Sequence, residues 1–226
     1  FTTTLPLAGM MPYKNILIQL VDTPPLTADG LPSELLNTLQ NGDLLLIVLD
    51  IGSDECLEQA EGTLSFLRKK KLIDEEKGKE EPSVEKAGIE PGQIQPKHAP
   101  YLIIGNKCDR PHSEENTQIL HELLPGLPLI SISAKEKTGL SLLKNKIYQK
   151  LDIIRVYTKA PGEEPDLRAP FVLKNGCTVL DLAYNIHRDF PRLLRSARVW
   201  GSSKFEGQTV AREYILEEGD IVEINV

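Results

Sequence analysis

The N-terminal two thirds of the chain alternates between short apolar runs and segments with helical spacing. Four apolar runs, each ending in a small or polar cluster, occupy residues 16–21, 44–49, 101–104 and 129–132. Between them, residues 57–71 and 114–124 repeat apolar side chains every three or four positions, which predicts helices. Strands that alternate with helices predict an α/β fold with a mostly parallel sheet covered on both faces.

Two changes of pattern divide the chain into domains. Residues 74–98 are rich in Glu, Lys, Pro and Gly, which predicts a flexible insertion that is either simply solvated or a docking loop. After Leu151 the predicted order is strand, strand, a helix capped by Thr178, and strands at 197–200, 214–216 and 221–226. This order is typical of a small α+β domain of the β-grasp kind. We therefore predict one domain over 1–152 and a second over 153–226.

Composition narrows the function classes. Apolar residues make up 40% of the chain and charged residues 26%, and no apolar run is long enough to cross a bilayer, which takes about 20 residues. The three cysteines are far apart in sequence, which argues against a disulfide framework or a zinc site and favours a cytoplasmic protein. A net charge of −7 argues against coating of nucleic acid through bulk charge.

The tetrapeptide Asn106-Lys107-Cys108-Asp109 directly follows the third apolar run. A carboxylate at Asp109 can accept hydrogen bonds from N1–H and the exocyclic amine of guanine, a pair of donors that adenine does not offer in that arrangement. The stem of Lys107 can pack along the base, and Asn106 can tie neighbouring loops together. The pattern indicates a guanine-reading loop, although four residues alone are a weak match.

Further motifs follow in a fixed order along the chain. Ser133-Ala134-Lys135 follows the fourth apolar run, where a backbone N–H can meet the guanine carbonyl. Asp22 follows the first apolar run. In nucleotide-binding proteins an aspartate at such a strand end holds Mg²⁺ through a water molecule. Thr3, with Thr2 as the alternative, lies where a switch threonine would contact Mg²⁺. Together these motifs predict guanine nucleotide and Mg²⁺ as ligands.

The set of motifs resembles the Obg/DRG class of translation-factor GTPases. Residues 1–5 with Gly9 resemble their switch I, and Asp22-Thr23-Pro24-Pro25 resembles their DxPG switch II. The C-terminal segment, from residues 153–159 to 219–224, is similar to the TGS domain of DRG proteins. The resemblance implies binding of GTP or GDP, slow GTP hydrolysis in the intact protein, and a ribosome, RNA or protein partner with no membrane association.

Two departures from that family, and one from Ras-like enzymes, change the expectation. The phosphate-binding loop GxxxxGK[ST] is absent from the sequence, so we expect truncation of a longer protein and no tight GTP binding by this chain alone. Pro25 replaces a glycine whose N–H senses the γ-phosphate, so either another amide takes over or sensing is weakened. Leu26 stands where Ras-like enzymes place a water-orienting glutamine, so we expect slow hydrolysis that relies on other groups, and we assign no catalytic residue.

A second hypothesis is that the chain is a binding module. In it the nucleotide domain is degenerate, and the TGS domain tethers the protein to RNA or to a protein partner without turnover. Four arginines recur in a short stretch of the C-terminal segment: Arg188, Arg192, Arg195 and Arg198. They are equally consistent with contacts to the phosphates of a nucleic acid and with scattered surface charge.

Overall fold

The computed structural model describes residues 6–26, 33–73 and 99–225 of the 226-residue chain. The chain divides into two compact units. The first unit comprises Phe1–Pro6 and Thr23–Leu151, and the second comprises Leu7–Asp22 and Asp152–Val226. No helix among the described ranges is both long and apolar enough to cross a membrane.

The described residues form strands and helices in this order along the chain. They are β1 (Leu7–Tyr13), β2 (Ile16–Asp22), α1 (Ser33–Gln40), β3 (Leu45–Asp50), α2 (Cys56–Lys69), β4 (Tyr101–Asn106), α3 (Ser113–Leu123), β5 (Leu129–Ser131), α4 (Leu140–Leu151), β6 (Ile153–Lys159), β7 (Phe171–Lys174), α5 (Val179–Ile186), α6 (Phe190–Leu193), β8 (Ser196–Trp200), β9 (Gln208–Val210) and β10 (Ile221–Asn225).

The first unit is built on a parallel sheet with the order β3-β4-β5. The central strand β4 is buried along nearly its whole length, which its unbroken apolar sequence requires, because both of its faces are covered. Helix α2 buries one face through Cys56, Ala60, Leu64 and Leu67, whose spacing follows the helical repeat. The predicted α/β fold with a parallel sheet is confirmed.

The second unit contains a five-stranded sheet with the order β7-β6-β10-β8-β9. Strand β10 pairs in parallel with β6 and antiparallel with β8, so the last strand of the chain lies in the middle of the sheet. Helix α5 begins with a capping box, in which the Thr178 side chain accepts from the Asp181 N–H and the Asp181 carboxylate accepts from the Thr178 N–H. The predicted β-grasp arrangement and the capping role of Thr178 are confirmed.

One predicted strand in this unit is wrong. Residues 214–216 form no named strand, and Ile215 makes only an isolated bridge with Thr178. The third strand of this part is instead β9, which pairs antiparallel with β8. The prediction was wrong because Tyr214 and Leu216 pack against the core from irregular backbone. Burial at alternate positions therefore occurs here without the strand pairing that it usually indicates.

The first apolar run also differs from its prediction. It forms β2, but among the described residues β2 pairs only with β1, as an antiparallel hairpin, and it is not a strand of the parallel sheet. The two-residue connection at Lys14 and Asn15 imposes antiparallel pairing, because a parallel pair needs a long crossover. The hairpin also groups with the C-terminal unit, whereas the predicted division placed all of 1–152 together. The predicted insertion at 74–98 lies outside the described residues.

Candidate functional site

Two predicted loops meet where β4 and β5 end. The loop that begins at Lys107 follows β4, and the loop that begins at Ile132 follows β5. The Ile132 N–H donates to the Gly105 carbonyl over 2.8 Å, and the Cys108 N–H donates to the Ile132 carbonyl over 3.0 Å. Parallel pairing therefore continues into the loops and fixes them against each other, at the sheet edge where α/β proteins bind ligands.

Asn106 joins the two loops through its side chain. Its Oδ1 accepts hydrogen bonds from the Lys107 N–H at 2.8 Å and from the Ala134 N–H at 3.1 Å. The first bond supports an unusual backbone, because Lys107 has φ 68°, in the left-handed region that non-glycine residues seldom adopt. The structure thus brings Asn106 and Ala134 together, and Asn106 links the loops as the sequence analysis expected.

Asp109 and Ser133 form the closest polar contact between the loops. The Ser133 hydroxyl donates to Asp109 Oδ1 at 2.5 Å, and Ser133 is fully buried whereas Asp109 is exposed. This hydrogen bond is the main reason that the pKa of Asp109 lies below its ordinary value, and the positive charges of Lys135 and Arg110 act in the same direction. Asp109 is therefore ionised at neutral pH and presents a carboxylate acceptor.

The loop after β5 is held in place by its own backbone. The Ser133 N–H donates to the Thr138 carbonyl over 3.1 Å, and the Glu136 N–H donates to the Ser133 hydroxyl oxygen over 3.0 Å. Gly139 ends the loop with φ 75°, and a Cβ there would lie 2.7 Å from the Ser131 carbonyl oxygen. Lys135 directs its ammonium to Glu136 at 3.2 Å, so what Lys135 offers the site is its place in this loop.

The sequence analysis missed Asp50, the last residue of β3. Asp50 stands opposite Asn106 in the parallel register, and its Oδ2 pairs with the Lys107 ammonium. Its Oδ1 accepts from the Gly52 N–H at 3.1 Å. A signal was present, because Asp50 closes an apolar run at the same sheet edge as Asn106, but no motif singled it out.

The predicted metal ligands lie either outside the described residues or in the other compact unit. Thr3 and its alternative Thr2 lie outside the described residues. Asp22 belongs to the other unit, where it ends β2 opposite Leu7. Within the described ranges, no group of three or more His, Cys, Asp or Glu side chains could hold a metal ion. The assignment of Mg²⁺ to Thr3 and Asp22 therefore stays a prediction.

Comparison with known proteins identifies the C-terminal segment. Residues 154–226 match the TGS domain family. This range runs from the second residue of β6 through β10, the five-stranded sheet described above. The chain therefore carries a TGS domain, as the resemblance in sequence had indicated.

Curated relatives of the chain are named as GTP-binding proteins. The Uncharacterized GTP-binding protein MJ1326 of Methanocaldococcus jannaschii is 29% identical over 99% of this chain and 70% of its own length. Developmentally-regulated GTP-binding protein 1 of Xenopus laevis and Ribosome-interacting GTPase 1 of Saccharomyces cerevisiae are each 33% identical. Their matches cover 56% and 57% of this chain and 34% of each relative. The resemblance to Obg/DRG-type proteins with a TGS domain is therefore confirmed.

Solved structures support the fold. A GTP binding protein from Pyrococcus horikoshii matches with a TM-score of 0.58 and 19% identity, over 100% of this chain and 89% of the other. The YchF GTPase of Schizosaccharomyces pombe matches with a TM-score of 0.59 and 14% identity, over 99% of this chain and 88% of the other. At these identities the likeness concerns the fold.

Proposed function

We propose that the protein binds a guanine nucleotide and that Asp109 reads the base. The single observation that carries this proposal is the pairing of an exposed, ionised Asp109 with the buried Ser133 hydroxyl. A carboxylate has about four acceptor positions, so the Ser133 bond leaves capacity for the N1–H and amine of guanine. The same bond fixes the carboxylate in one orientation, which a base reader needs.

The neighbouring loop complements this acceptor. Asn106 fixes the Ala134 segment to the loop of Lys107 and Asp109, so backbone amides and the carboxylate share one rigid frame. The acceptors of Asp109 match the N1–H and amine of guanine, while a guanine carbonyl would have to share the Ala134 N–H with Asn106 or meet another N–H of the loop. The names of the relatives, which are GTP-binding proteins, agree with this choice of base.

The finer parts of the proposal depend on the whole protein. We propose slow GTP hydrolysis in the intact protein, Mg²⁺ held with the help of Thr3 and Asp22, and work at the ribosome. The name of the yeast relative, Ribosome-interacting GTPase 1, supports the last point.

The base-reading role can be tested with nucleosides, which need no phosphate contacts. Saturation-transfer NMR on the 226-residue chain would compare guanosine, adenosine and xanthosine. Guanosine is expected to bind best. Asp109→Asn should move the preference to xanthosine, because an amide can donate to the carbonyl that xanthine carries where guanine has its amine. Asp54→Asn, which makes the same change at an exposed position outside the site, is the control and should keep the guanosine preference.

Equal signals from guanosine and adenosine in the wild-type chain would reject the proposed function. An unchanged preference in Asp109→Asn would reject only the assignment of the base reader. Because the wild type and the variant are tested with the same three nucleosides, failure of the proposed function and failure of the Asp109 assignment are distinguished directly.

A second candidate function is partner binding by the TGS domain without turnover. It is supported by the match of residues 154–226 to the TGS family and by four exposed arginines, Arg188, Arg192, Arg195 and Arg198. Co-sedimentation of the whole chain with ribosomes, with and without GTP, tests it. Sedimentation that is independent of GTP and lost when the four arginines become glutamine is expected under this candidate. Strict dependence on GTP would contradict it.

A further inference from the structure

Asp50 and Lys107 form an ion pair across the ends of two neighbouring strands. Asp50 ends β3, and Lys107 follows the last residue of β4, which stands opposite Asp50 in the register. Asp50 Oδ2 lies 2.5 Å from Lys107 Nζ, while Oδ1 accepts from the Gly52 N–H at 3.1 Å. One carboxylate thus fixes the loop after β3 and the side chain of the loop after β4.

The frame around Asp50 is itself anchored. Asn116 is buried on α3, and its Nδ2 donates to the Ile51 carbonyl at 2.9 Å and to the Ser53 carbonyl at 3.1 Å. The glycine at 52 allows close approach, since a Cβ there would lie 2.8 Å from Arg110 Cβ. The carboxylate of Asp50 is therefore held by its bond to the anchored backbone of this loop, whereas Lys107 is a long side chain that is half exposed.

The pair gives little support to folding, and this points to another role. Partly exposed ion pairs contribute little net stability, because the gain in charge attraction is offset by side-chain ordering and by screening. A lysine side chain, however, loses much rotamer freedom when a ligand packs against it. A partner that orders the side chain beforehand reduces that loss on binding.

We propose that Asp50 is a positioning residue of the guanine site, which holds the Lys107 side chain in its binding position before the base arrives. The proposal rests on the proposed function, because Lys107 belongs to the base-reading loop. Asp50 acts on the base only through Lys107 and does not contact it. The backbone of Lys107 contributes to the same arrangement, since its left-handed conformation is supported by Asn106.

The test is a double-mutant cycle on the whole chain with guanosine as the probe. Guanosine carries no charge, so the loss of one protein charge has no direct electrostatic effect on its binding. Asp50→Asn can still accept from the Gly52 N–H but loses the ion pair with Lys107. It is expected to weaken guanosine binding by about threefold to tenfold, which is the effect of freeing one long side chain. In a Lys107→Met background the same substitution should have no further effect.

Asp54→Asn is the matched control, because it removes the same charge from an exposed position in the loop that follows β3. It should leave guanosine binding unchanged. A second readout is the Lys107 ammonium signal in a nitrogen–proton NMR spectrum, which should broaden or shift in Asp50→Asn, because the ammonium group loses its carboxylate partner and exchanges protons with water faster.

The possible results separate the two hypotheses. Guanosine affinity in Asp50→Asn equal to that of wild type, or a loss of the same size in the Lys107→Met background, would overturn the positioning role and leave base reading intact. Absence of any guanosine preference over adenosine in the wild-type chain would overturn the proposed function, and the positioning role with it.

Discussion

Arg155 and Glu218 form a three-point contact in the C-terminal unit. The Nε and NH2 groups of Arg155 donate to Glu218 Oε1 at 2.9 and 2.7 Å, and the Arg155 N–H donates to Oε2 at 2.8 Å. The remaining NH1 group donates to Asn15 Oδ1. Asn15 in turn donates to the Tyr157 hydroxyl at 2.9 Å and to the Leu167 carbonyl at 2.8 Å. The ion pair therefore orients the residue that attaches the β1–β2 hairpin to β6.

Asn15→Ala should loosen this hairpin. The substitution removes three hydrogen bonds at one turn, so we expect faster hydrogen exchange of the β1 and β2 amides with little change in β8 and β10. Exchange followed by mass spectrometry would show it. Gln19→Ala, at an exposed position of β2, is the control and should leave exchange unchanged. Equal protection of the hairpin in Asn15→Ala would contradict the anchoring role.

Ser133→Ala should raise the pKa of Asp109 toward its ordinary value of 3.8, because the hydroxyl bond is the largest cause of the lowered value. Because the pKa of Asp109 is lower in the folded state, its ionised carboxylate stabilises the fold at any pH above the ordinary pKa. This contribution to the free energy of unfolding is lost as the pH falls through the lowered pKa. Guanosine binding should follow the same carboxylate, so its loss at acid pH should begin at a higher pH in the variant.

A carbon-detected NMR titration of the Asp109 carboxyl measures this pKa. Ser131→Ala, an identical change at an exposed residue of β5, is the control and should leave the titration where it is in the wild type. If the midpoint stays unmoved in Ser133→Ala, the hydrogen bond does not set the pKa.

Asn106→Ala should separate the two loops. The substitution leaves the N–H groups of Lys107 and Ala134 without their side-chain acceptor, and we expect a loss of about 1 kcal/mol in the free energy of unfolding. Urea unfolding would measure it. Asn106→Asp keeps an oxygen acceptor and should retain most of the stability. A similar loss in the two variants would show that the acceptor is not what matters.

Gly139→Ala should be more damaging than Gly176→Ala. The two glycines have positive φ values of 75° and 82°, so alanine costs about 1–2 kcal/mol of backbone strain at either position. At position 139 the added Cβ also meets the Ser131 carbonyl oxygen at 2.7 Å, whereas position 176 has nothing within 4 Å. Thermal unfolding should show a clearly larger fall for Gly139→Ala; equal falls would mean that the loop moves to accept the methyl group.

Local signals predicted most of the secondary structure. The apolar runs became β3, β4 and β5, and Thr178 with Asp181 formed the cap that begins α5. Prediction failed for residues 214–216, where alternate burial accompanies irregular backbone. It also failed for the partner of β2. The alternating exposure of β2 predicts a half-buried strand but does not indicate which sheet the strand joins.

The candidate site was predictable only where chemistry and strand ends coincide. Asn106, Asp109 and Ser133 carry residue types that match a base and follow apolar runs, so a motif could find them. Asp50 was missed because a single aspartate at a strand end is common, and its significance depends on which strand lies beside it. Asn116 was missed for the same reason, since its partners are backbone carbonyls more than sixty positions away in sequence.

The sequence by itself determined the α/β class, the β-grasp domain and the identity of the loop residues, because periodicity, capping and turn chemistry act over a few neighbouring positions. Tertiary structure alone decided that Ser133 lowers the pKa of Asp109, that Asp50 pairs with Lys107, and that Asn15 attaches the hairpin to the C-terminal unit. Each of these contacts joins residues far apart in the chain. Their formation depends on which strands become neighbours, and that is set by the burial of the whole core.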